Sequence, residues 1–261
     1  MSLHRIWGVI LRFIFHFRHS LDRLVDVFFW PIIDLVLWGL TGLYFVAMAP
    51  DAGRVTQAIV AGIIFWLVVY RGQYEVSGNL LEDLWNRNLV NMFVSPLTFA
   101  EWTTAFILLG IVKTIISFLF ASGLAYMLYG VNVLSLGFAV PAFMVVLIIT
   151  GWSAGFVIAG LILRYGTRIQ AFAWTVVWVI APFCGIYYPI AVLPPWAQSI
   201  AHVVPASYVF EGVREAVNSG TVDFRGILSG LFLAIGYFFL ALWFLSRSFK
   251  AVLRRGLVKV Y

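Results

Sequence analysis

The chain has 261 residues, of which 63% are hydrophobic and only 11% are charged, and its formal net charge is +6. A soluble globular protein is usually about 25% charged, so this composition excludes a protein with a fully water-exposed surface. The basic residues lie at the ends of apolar segments, as in membrane proteins, so the positive charge does not indicate binding to nucleic acid.

The first 26 residues predict an amphipathic helix that lies along the membrane surface. Apolar residues recur at three- and four-residue steps from Leu3 to Leu24, whereas Arg5, Arg12 and Arg23 fall on another face. An apolar stripe opposite a basic stripe is typical of a helix in the plane of the membrane interface. A water-exposed cytoplasmic tail is the alternative.

Six apolar segments are long enough to cross a bilayer, which requires about 20 residues for about 30 Å of hydrocarbon. They cover residues 27–48, 57–76, 103–129, 136–163, 169–188 and 226–246. If the N-terminus is inside, thirteen Lys and Arg residues fall in inner segments and three in outer loops. This excess predicts that both termini are cytoplasmic. We therefore expect one all-α membrane domain over residues 1–261, with six transmembrane helices.

The predicted loop between the second and third spans, residues 77–101, contains a helical pattern. From Leu80 to Asn88, leucines alternate with charged and amide residues at helical steps. Pro96 then interrupts the pattern before the third span begins. The sequence therefore predicts a short amphipathic helix on the cytoplasmic side, and a plain linker helix is the alternative.

The longest outer loop, residues 189–225, is apolar and aromatic rather than charged. It contains two helical stretches, from Trp196 to Val203 and from Tyr208 to Val217, which are too short to span a bilayer. Exposure of so many apolar residues to water would be unfavourable. We expect short helices that re-enter the outer leaflet and pack against protein.

Sequence motifs for chemistry are absent. The sequence has no Gly-rich phosphate loop ending in Gly-Lys-Ser or Gly-Lys-Thr, no Cys/His spacing for zinc and no Gly-x-Ser-x-Gly elbow. Cys184 is the single cysteine, so it cannot form an internal disulfide. We therefore expect no catalytic residue, no metal site and no cofactor in this chain.

Two charged residues fall inside predicted spans, where ionisable side chains are candidates for a transport role. Asp34 lies about two turns into the first span and Lys113 lies near the middle of the third, and we predict that they form an intramembrane charge pair. Alternatively, the Asp34 side chain reaches the inner membrane interface or pairs with Arg71. Two Gly-x-x-x-Gly matches, Gly151–Gly155 and Gly226–Gly230, suit either a dimer face or close packing within the chain.

The outer loop carries the most specific pattern in the sequence. Four stretches stand out: Tyr188-Pro189, Leu193-Pro194-Pro195-Trp196, Pro205-Ala206-Ser207-Tyr208 and Glu211-Gly212-Val213-Arg214. They resemble the Tyr-Pro, Leu-Pro-x-Trp, Pro-x-x-Tyr and Glu-Gly-x-Arg pattern of the ABC-2 type transporter permeases, the membrane subunits of bacterial and archaeal ATP-binding-cassette exporters. The segment Asn91–Leu97 is similar to that family's Ser-Pro segment before the third span, so the resemblance covers nearly the whole chain.

This resemblance implies a permease in which two copies form the export pathway and two ATP-binding subunits dock at the cytoplasmic face. ATP and Mg²⁺ would bind to those subunits rather than to this chain. The helix after the second span would be the coupling helix, with docking residues Leu80, Glu82, Asp83, Leu84, Arg87 and Asn88. The re-entrant region would close the outer end of the pathway, with Tyr188, Pro189, Pro194, Trp196, Pro205, Tyr208, Glu211 and Arg214.

The resemblance thus implies a homodimeric permease of the cell membrane that exports a polysaccharide, a lipid or a drug-like molecule. An ATP-independent secondary transporter or channel is the alternative, and it would predict inverted repeats and interrupted helices. A membrane enzyme would require clustered carboxylates or histidines, and the only outer cluster is Glu211, Arg214 and Glu215. The aromatic residues, 18% of the chain, suit either a pathway wall or a lipid-facing belt.

Overall fold

The computed structural model describes residues 1–19, 21–49, 52–88, 91 and 94–255. Within these residues the regular structure is helical, which confirms the prediction of an all-α membrane protein. Short 3₁₀ turns connect some of the helices. In chain order the α-helices are α1 (Leu3–His19), α2 (Leu21–Met48), α3 (Gly53–Trp85), α4 (Phe99–Tyr129), α5 (Ala139–Tyr165), α6 (Phe172–Ile180), α7 (Pro195–Ala201), α8 (Pro205–Ser219) and α9 (Phe224–Arg255).

Five helices are long and apolar enough to cross a membrane, namely α2, α3, α4, α5 and α9. The first four alternate in direction along the chain, and α9 runs parallel to α5, because Gly160 and Arg164 of α5 lie beside Phe244 and Ser248 of α9. We call the end that holds α1, the end of α3 and the last turns of α9 the terminal end. The opposite end, which holds α7 and α8, is called the hairpin end.

The fifth predicted span, residues 169–188, is not a continuous long helix. Its helical part, Phe172–Phe183, is about 18 Å long at 1.5 Å per residue, which is less than the hydrocarbon thickness of a bilayer. The segment is apolar, as predicted, but its helix ends early. Pro182 lacks a backbone N–H donor, and Gly185 has a φ of +73°, which does not continue a helix.

The segment that contains α6 nevertheless follows α3 over a long distance. At one end, Trp85 Nε1 donates a hydrogen bond to Gln170 Oε1 at 3.2 Å. At the other end, the carbonyl of Ile186 lies 2.8 Å from where a Cβ on Gly62 would stand. These two positions on α3 are about 35 Å apart. The segment therefore covers most of a bilayer's thickness, and the count of six spans stays a prediction.

The core has two parts, which α3 connects. Near the hairpin end, Phe65 packs against Phe118 and Phe143, with ring centroids 5.4 Å apart in both pairs. Near the terminal end, Phe106 and Phe156 are fully buried in a second apolar cluster. Because α3 contributes to both clusters and contacts α2, α4, α5, α6 and α8, it is the central helix of the bundle.

Both Gly-x-x-x-Gly matches contain a glycine that is needed for packing within the chain. A Cβ on Gly151 would stand 2.5 Å from the carbonyl oxygen of Val69, and one on Gly155 would stand 2.8 Å from that of Gln73. In the second match, a Cβ on Gly230 would stand 3.0 Å from a backbone oxygen of α8. Of the two alternatives, the structure supports close approach of helices within one chain.

The N-terminal region contains the predicted helix. α1 covers Leu3–His19 and α2 covers Leu21–Met48, and residue 20 between them lies outside the described residues. Ile6 and Phe13 are buried against the bundle, whereas Leu3 is exposed. The side chains of residues 16–24, 26, 27 and 255 lie outside the described part, and these include Arg23 and Leu24. The position of α1 in the membrane interface therefore stays a prediction.

Candidate functional site

The end of α3 corrects the prediction of a separate cytoplasmic helix. α3 runs unbroken from Gly53 to Trp85, so the connection to α4 begins at Asn86 rather than at residue 77. The helical pattern that starts at Leu80 is real, but it belongs to the last turns of the spanning helix. Gly78 does not end that helix because neighbouring helices bury the leucines that follow it.

Three of the six predicted docking residues are buried inside the chain. Leu80, Asp83 and Leu84 are at most 5% exposed, so in this conformation they cannot contact a partner subunit. Their leucine side chains belong to the apolar cluster at the terminal end. The amphipathic pattern was read correctly, but its apolar face packs against the chain's own helices.

The exposed residues at the end of α3 form what we call the α3 tip, residues 85–88. Trp85, Asn86 and Arg87 are exposed, and Asn88 is half-buried, as is the neighbouring Glu82. Arg87 has a φ of 53°, a left-handed conformation that residues other than glycine rarely adopt. The tip is thus a tight turn that presents an arginine and a tryptophan to the surroundings.

A row of polar side chains extends inwards from the α3 tip. Arg71, Glu75, Asn79 and Asp83 are spaced by four residues, so they lie on one face of α3, and we call them the α3 polar row. All four are buried. Sequence reasoning missed this row, although its four-residue spacing was visible, because the row crosses the predicted end of the second span at residue 76.

Glu75 in this row carries the central ion pair. Its Oε2 accepts a hydrogen bond from Lys113 Nζ of α4 at 2.6 Å, and the Glu75 side chain is only 2% exposed. Asn79 Nδ2 donates to the same carboxylate oxygen at 3.1 Å. The predicted pair of Asp34 with Lys113 is therefore wrong: Lys113 pairs with Glu75 of α3, whereas Asp34 is half-buried on α2.

Asp83 joins the polar row to the N-terminal helix. Its Oδ2 accepts a hydrogen bond from Arg12 at 2.9 Å, and its Oδ1 accepts one from Asn88 Nδ2 at 3.0 Å. On another face of α3, Gln73 Nε2 donates to the carbonyl of Ala173 in α6 at 3.0 Å. The terminal half of α3 is thus bonded to α1, α4 and α6 by buried polar contacts.

Aromatic rings continue from α3 onto α6 and form what we call the aromatic stripe. Trp66, Tyr70 and Tyr74 follow one another at four-residue steps on α3, as do Trp174 and Trp178 on α6. The Tyr74 and Trp174 ring centroids are 5.2 Å apart, and those of Tyr70 and Trp178 are 6.4 Å apart. Trp174 and Trp178 are partly exposed, so one edge of the stripe is open.

The Glu-Gly-x-Arg stretch at the hairpin end forms a compact knot of hydrogen bonds. Glu211 Oε1 accepts from Arg214 at 2.8 Å and from the backbone N–H of Ile190 at 2.7 Å. Arg214 also donates to the carbonyl of Gly185 at 2.6 Å. We call these contacts the hairpin knot. They join α8 to the chain that leaves α6, and so they explain why these residue types occur together.

The remaining predicted gate residues shape the same region. Tyr188 and Tyr208 each donate a hydroxyl hydrogen bond to a backbone carbonyl six residues earlier, at 2.8 and 2.9 Å. Pro189 precedes a 3₁₀ turn, Pro194 precedes α7, Pro205 begins α8, and Trp196 is 63% exposed. These positions fit the prediction of short helices that do not span, although their role as a gate stays a prediction.

A cavity of about 670 Å³ lies beside the hairpin knot. Its lining includes Gln198, His202, Glu211, Glu215 and Asp223. In the part of the chain that the structure describes, no three His, Cys, Asp or Glu side chains converge in a way that could hold a metal ion.

A family comparison identifies the class of protein. The profile of the ABC-2 type transporter family matches residues 26–218. The chain belongs to the ABC-2 type transporter family. The matched range contains the α3 polar row, the α3 tip and the hairpin knot. The comparison with curated proteins gave no match.

Membership of this family determines the kind of protein. Its membrane domain is a transmembrane permease component, which is not itself catalytic and normally works with an ATP-binding subunit. The chain is therefore an integral membrane permease component of an ABC transporter.

Proposed function

We propose that this permease exports its substrate across the cell membrane, with both termini and the α3 tip in the cytoplasm. The substrate is a polysaccharide, a lipid or a drug-like molecule. Two copies of the chain form the pathway, and each copy is driven by an ABC-type ATP-binding subunit that holds ATP and Mg²⁺. The distribution of Lys and Arg supports this orientation.

One observation carries the proposed mechanism: α3 is a single 33-residue helix that connects the tip to the hairpin end. At the tip it presents exposed groups to a docking partner. At the other end Trp66 packs near Phe210 of α8, with ring centroids 6.2 Å apart. A push on the tip would therefore move a rigid element that contacts the region proposed to close the pathway.

The buried polar contacts support this role for α3. A helix bonded to α1, α4 and α6 can move those helices with it, whereas an isolated surface helix would bend or slide. The aromatic stripe suits one wall of the pathway, because its open edge runs along both α3 and α6. A second copy of the chain would complete that wall.

Charge reversal at the α3 tip tests the docking assignment. Arg87→Glu should lower the amount of co-purifying ATP-binding subunit about tenfold, because an interfacial charge that meets a like charge costs several kcal/mol. Arg225→Glu, an exposed residue at the hairpin end, is the matched control and should leave co-purification unchanged. If Arg87→Glu retains the partner at wild-type levels, docking does not use the tip.

The particle mass tests the pathway proposal separately. Mild detergent extraction followed by native mass spectrometry should give two permease chains with two ATP-binding subunits. A single permease chain that remains fully active in vesicles would contradict a pathway between two copies.

A further inference from the structure

The terminal ends of α5 and α9 enclose a cavity lined by positive charge. Its volume is about 720 Å³. No carboxylate occurs among the described residues that line it, and no described carboxylate pairs with its cations. Four like charges around one cavity repel each other unless an anion is bound between them. The lining residues are Arg164 of α5 and Trp243, Ser246, Arg247, Lys250, Ala251 and Arg254 of α9.

Two of these arginines are held in place by neighbouring side chains. Arg164 Nε donates to Ser248 Oγ at 2.8 Å, and its guanidinium lies 4.6 Å from the ring centroid of Phe244. The guanidinium of Arg247 lies 5.1 Å from the ring centroid of Trp243. Contacts with rings restrict a guanidinium without using its N–H donors. Fixed arginine forks match the oxygen geometry of a phosphate group.

The basic residues continue an exposed apolar face of the same helix. Phe232, Phe239 and Trp243 are 74%, 64% and 58% exposed. Arg247 follows Trp243 by four residues, and Lys250 follows Arg247 by three, so the whole series lies on one face of α9. This face is apolar over about three turns and basic at its end. A phospholipid has the same division between acyl chain and phosphate.

This polarity favours a lipid over a soluble anion or an acidic protein. A soluble phosphate would use only the cations and leave the exposed aromatic side chains without a role. The position agrees, since Arg164 is in the last turn of α5 and Arg247 to Arg254 end α9, where two adjacent membrane helices reach the headgroup level.

We propose that this cavity binds the phosphate of an anionic membrane lipid, with an acyl chain along the exposed face of α9. The bound lipid would hold the ends of α5 and α9 together. This proposal concerns a lipid site and does not depend on the direction or substrate of transport.

Thermal unfolding in lipid nanodiscs tests the proposal. The permease would be compared in discs of phosphatidylcholine and in discs with one third phosphatidylglycerol. We expect the anionic lipid to raise the Tm of the wild type by about 4 °C, and added NaCl to reduce this gain. The variant Arg247→Gln/Lys250→Gln should lose most of the gain and retain fewer phosphatidylglycerol molecules in native mass spectrometry.

A control with the same loss of charge makes the result specific. Arg54→Gln/Arg225→Gln removes two exposed cations at the hairpin end and should keep the full gain in Tm. If the first double variant is unfolded in phosphatidylcholine, Lys250→Gln alone, which keeps the contact of Arg247 with Trp243, should lose about half of the gain. Equal gains in the cavity variant and the control would overturn the proposal.

Two further measurements distinguish a bound lipid from a soluble anion and from a docked protein. Stabilisation of the wild type by inorganic phosphate in phosphatidylcholine discs, without any effect of phosphatidylglycerol, would identify a soluble anion and overturn a lipid site. If Arg247→Gln/Lys250→Gln lost the ATP-binding subunit but kept the gain from phosphatidylglycerol, the cavity would be a protein-docking surface, which also overturns the proposal.

Discussion

The α3 polar row and the hairpin knot both rest on an ion pair, but the two pairs differ in their access to water. Glu75 and Lys113 are 2% and 14% exposed, whereas Glu211 and Arg214 are 41% and 15% exposed. If it lost its partner, the Glu211 carboxylate could turn to water. The Glu75 carboxylate would remain buried.

This difference indicates separate roles for the two ends. Buried polar side chains of α3 bond it to α1, α4 and α6, and breaking the contact of Glu75 with α4 or of Gln73 with α6 strands a buried polar group. The hairpin knot can open and close at a smaller cost. We infer that the terminal half of α3 transmits movement and that the hairpin end yields to it.

Removal of the central cation should cause the largest loss of stability. Lys113→Met leaves the Glu75 carboxylate buried without its cation, and we expect a loss of about 3 kcal/mol in the free energy of unfolding. Unfolding by SDS in mixed micelles measures this loss. The double variant Glu75→Gln/Lys113→Met should recover at least half of it, because the buried carboxylate of the pair is then gone as well.

The charge on α2 supplies the control for that experiment. Asp34→Asn changes a half-buried carboxylate that has no bond to Lys113, so its effect should be well below that of Lys113→Met. Equal losses for Asp34→Asn and Lys113→Met would restore the original pairing and contradict the polar row.

Separation of α5 from α3 by an added methyl group should have the next largest effect. Gly151→Ala places a Cβ 2.5 Å from the Val69 carbonyl oxygen, so the helices must separate, and we expect a loss of about 2 kcal/mol. Gly123→Ala on α4 is the control. Its Cβ would meet nothing within 4 Å, and alanine is the better helix former, so stability should stay equal or rise slightly. Equal effects of the two substitutions would show that the α3–α5 contact is not tight.

Loss of the hairpin arginine should have a smaller effect on stability. Arg214→Gln removes the bonds to Glu211 and to the Gly185 carbonyl, yet Glu211 remains partly hydrated and bonded to Ile190. We expect a loss of about 1 kcal/mol, with faster proteolysis near residues 185–195. A loss as large as that of Lys113→Met would abolish the proposed distinction between the two ends.

The contact of α1 with the polar row should contribute least. Arg12 is 37% exposed, so water compensates much of the pair when it is broken. Arg12→Gln should therefore cost less than about 1 kcal/mol in SDS unfolding. Hydrogen exchange should nevertheless increase in α1, because Arg12 is one of its polar links to the bundle. Unchanged exchange in α1 would mean that apolar packing alone holds this helix.

The sequence predicted the helical class and the hairpin helices because both depend on local signals. Long apolar segments define spans, and Pro194 and Pro205 mark the starts of short helices. The end of α3 could not be predicted in this way, since polar residues after position 76 are typical of a loop in water. Only the neighbouring helices, which bury Glu75 and Asp83, keep this stretch helical.

The pairing of charges also lay beyond the sequence. Lys113 could face any helix of the bundle, and periodicity gives the face of a helix but not its neighbour. The prediction that Asp34 pairs with Lys113 followed from the apolar sequence around both residues. The fold shows why Glu75 is the partner: α3 and α4 are antiparallel neighbours, and they bring Glu75 and Lys113 side by side.

We propose that a separate ATP-binding subunit drives this permease. Affinity purification of the tagged chain from its native membrane, with an ATPase assay and mass spectrometry of the eluate, is the decisive experiment. We expect a stoichiometric ABC-type ATPase whose recovery falls with Arg87→Glu and persists with Arg225→Glu. A folded permease that reproducibly elutes without any ATPase in mild detergent would instead favour an ATP-independent transporter.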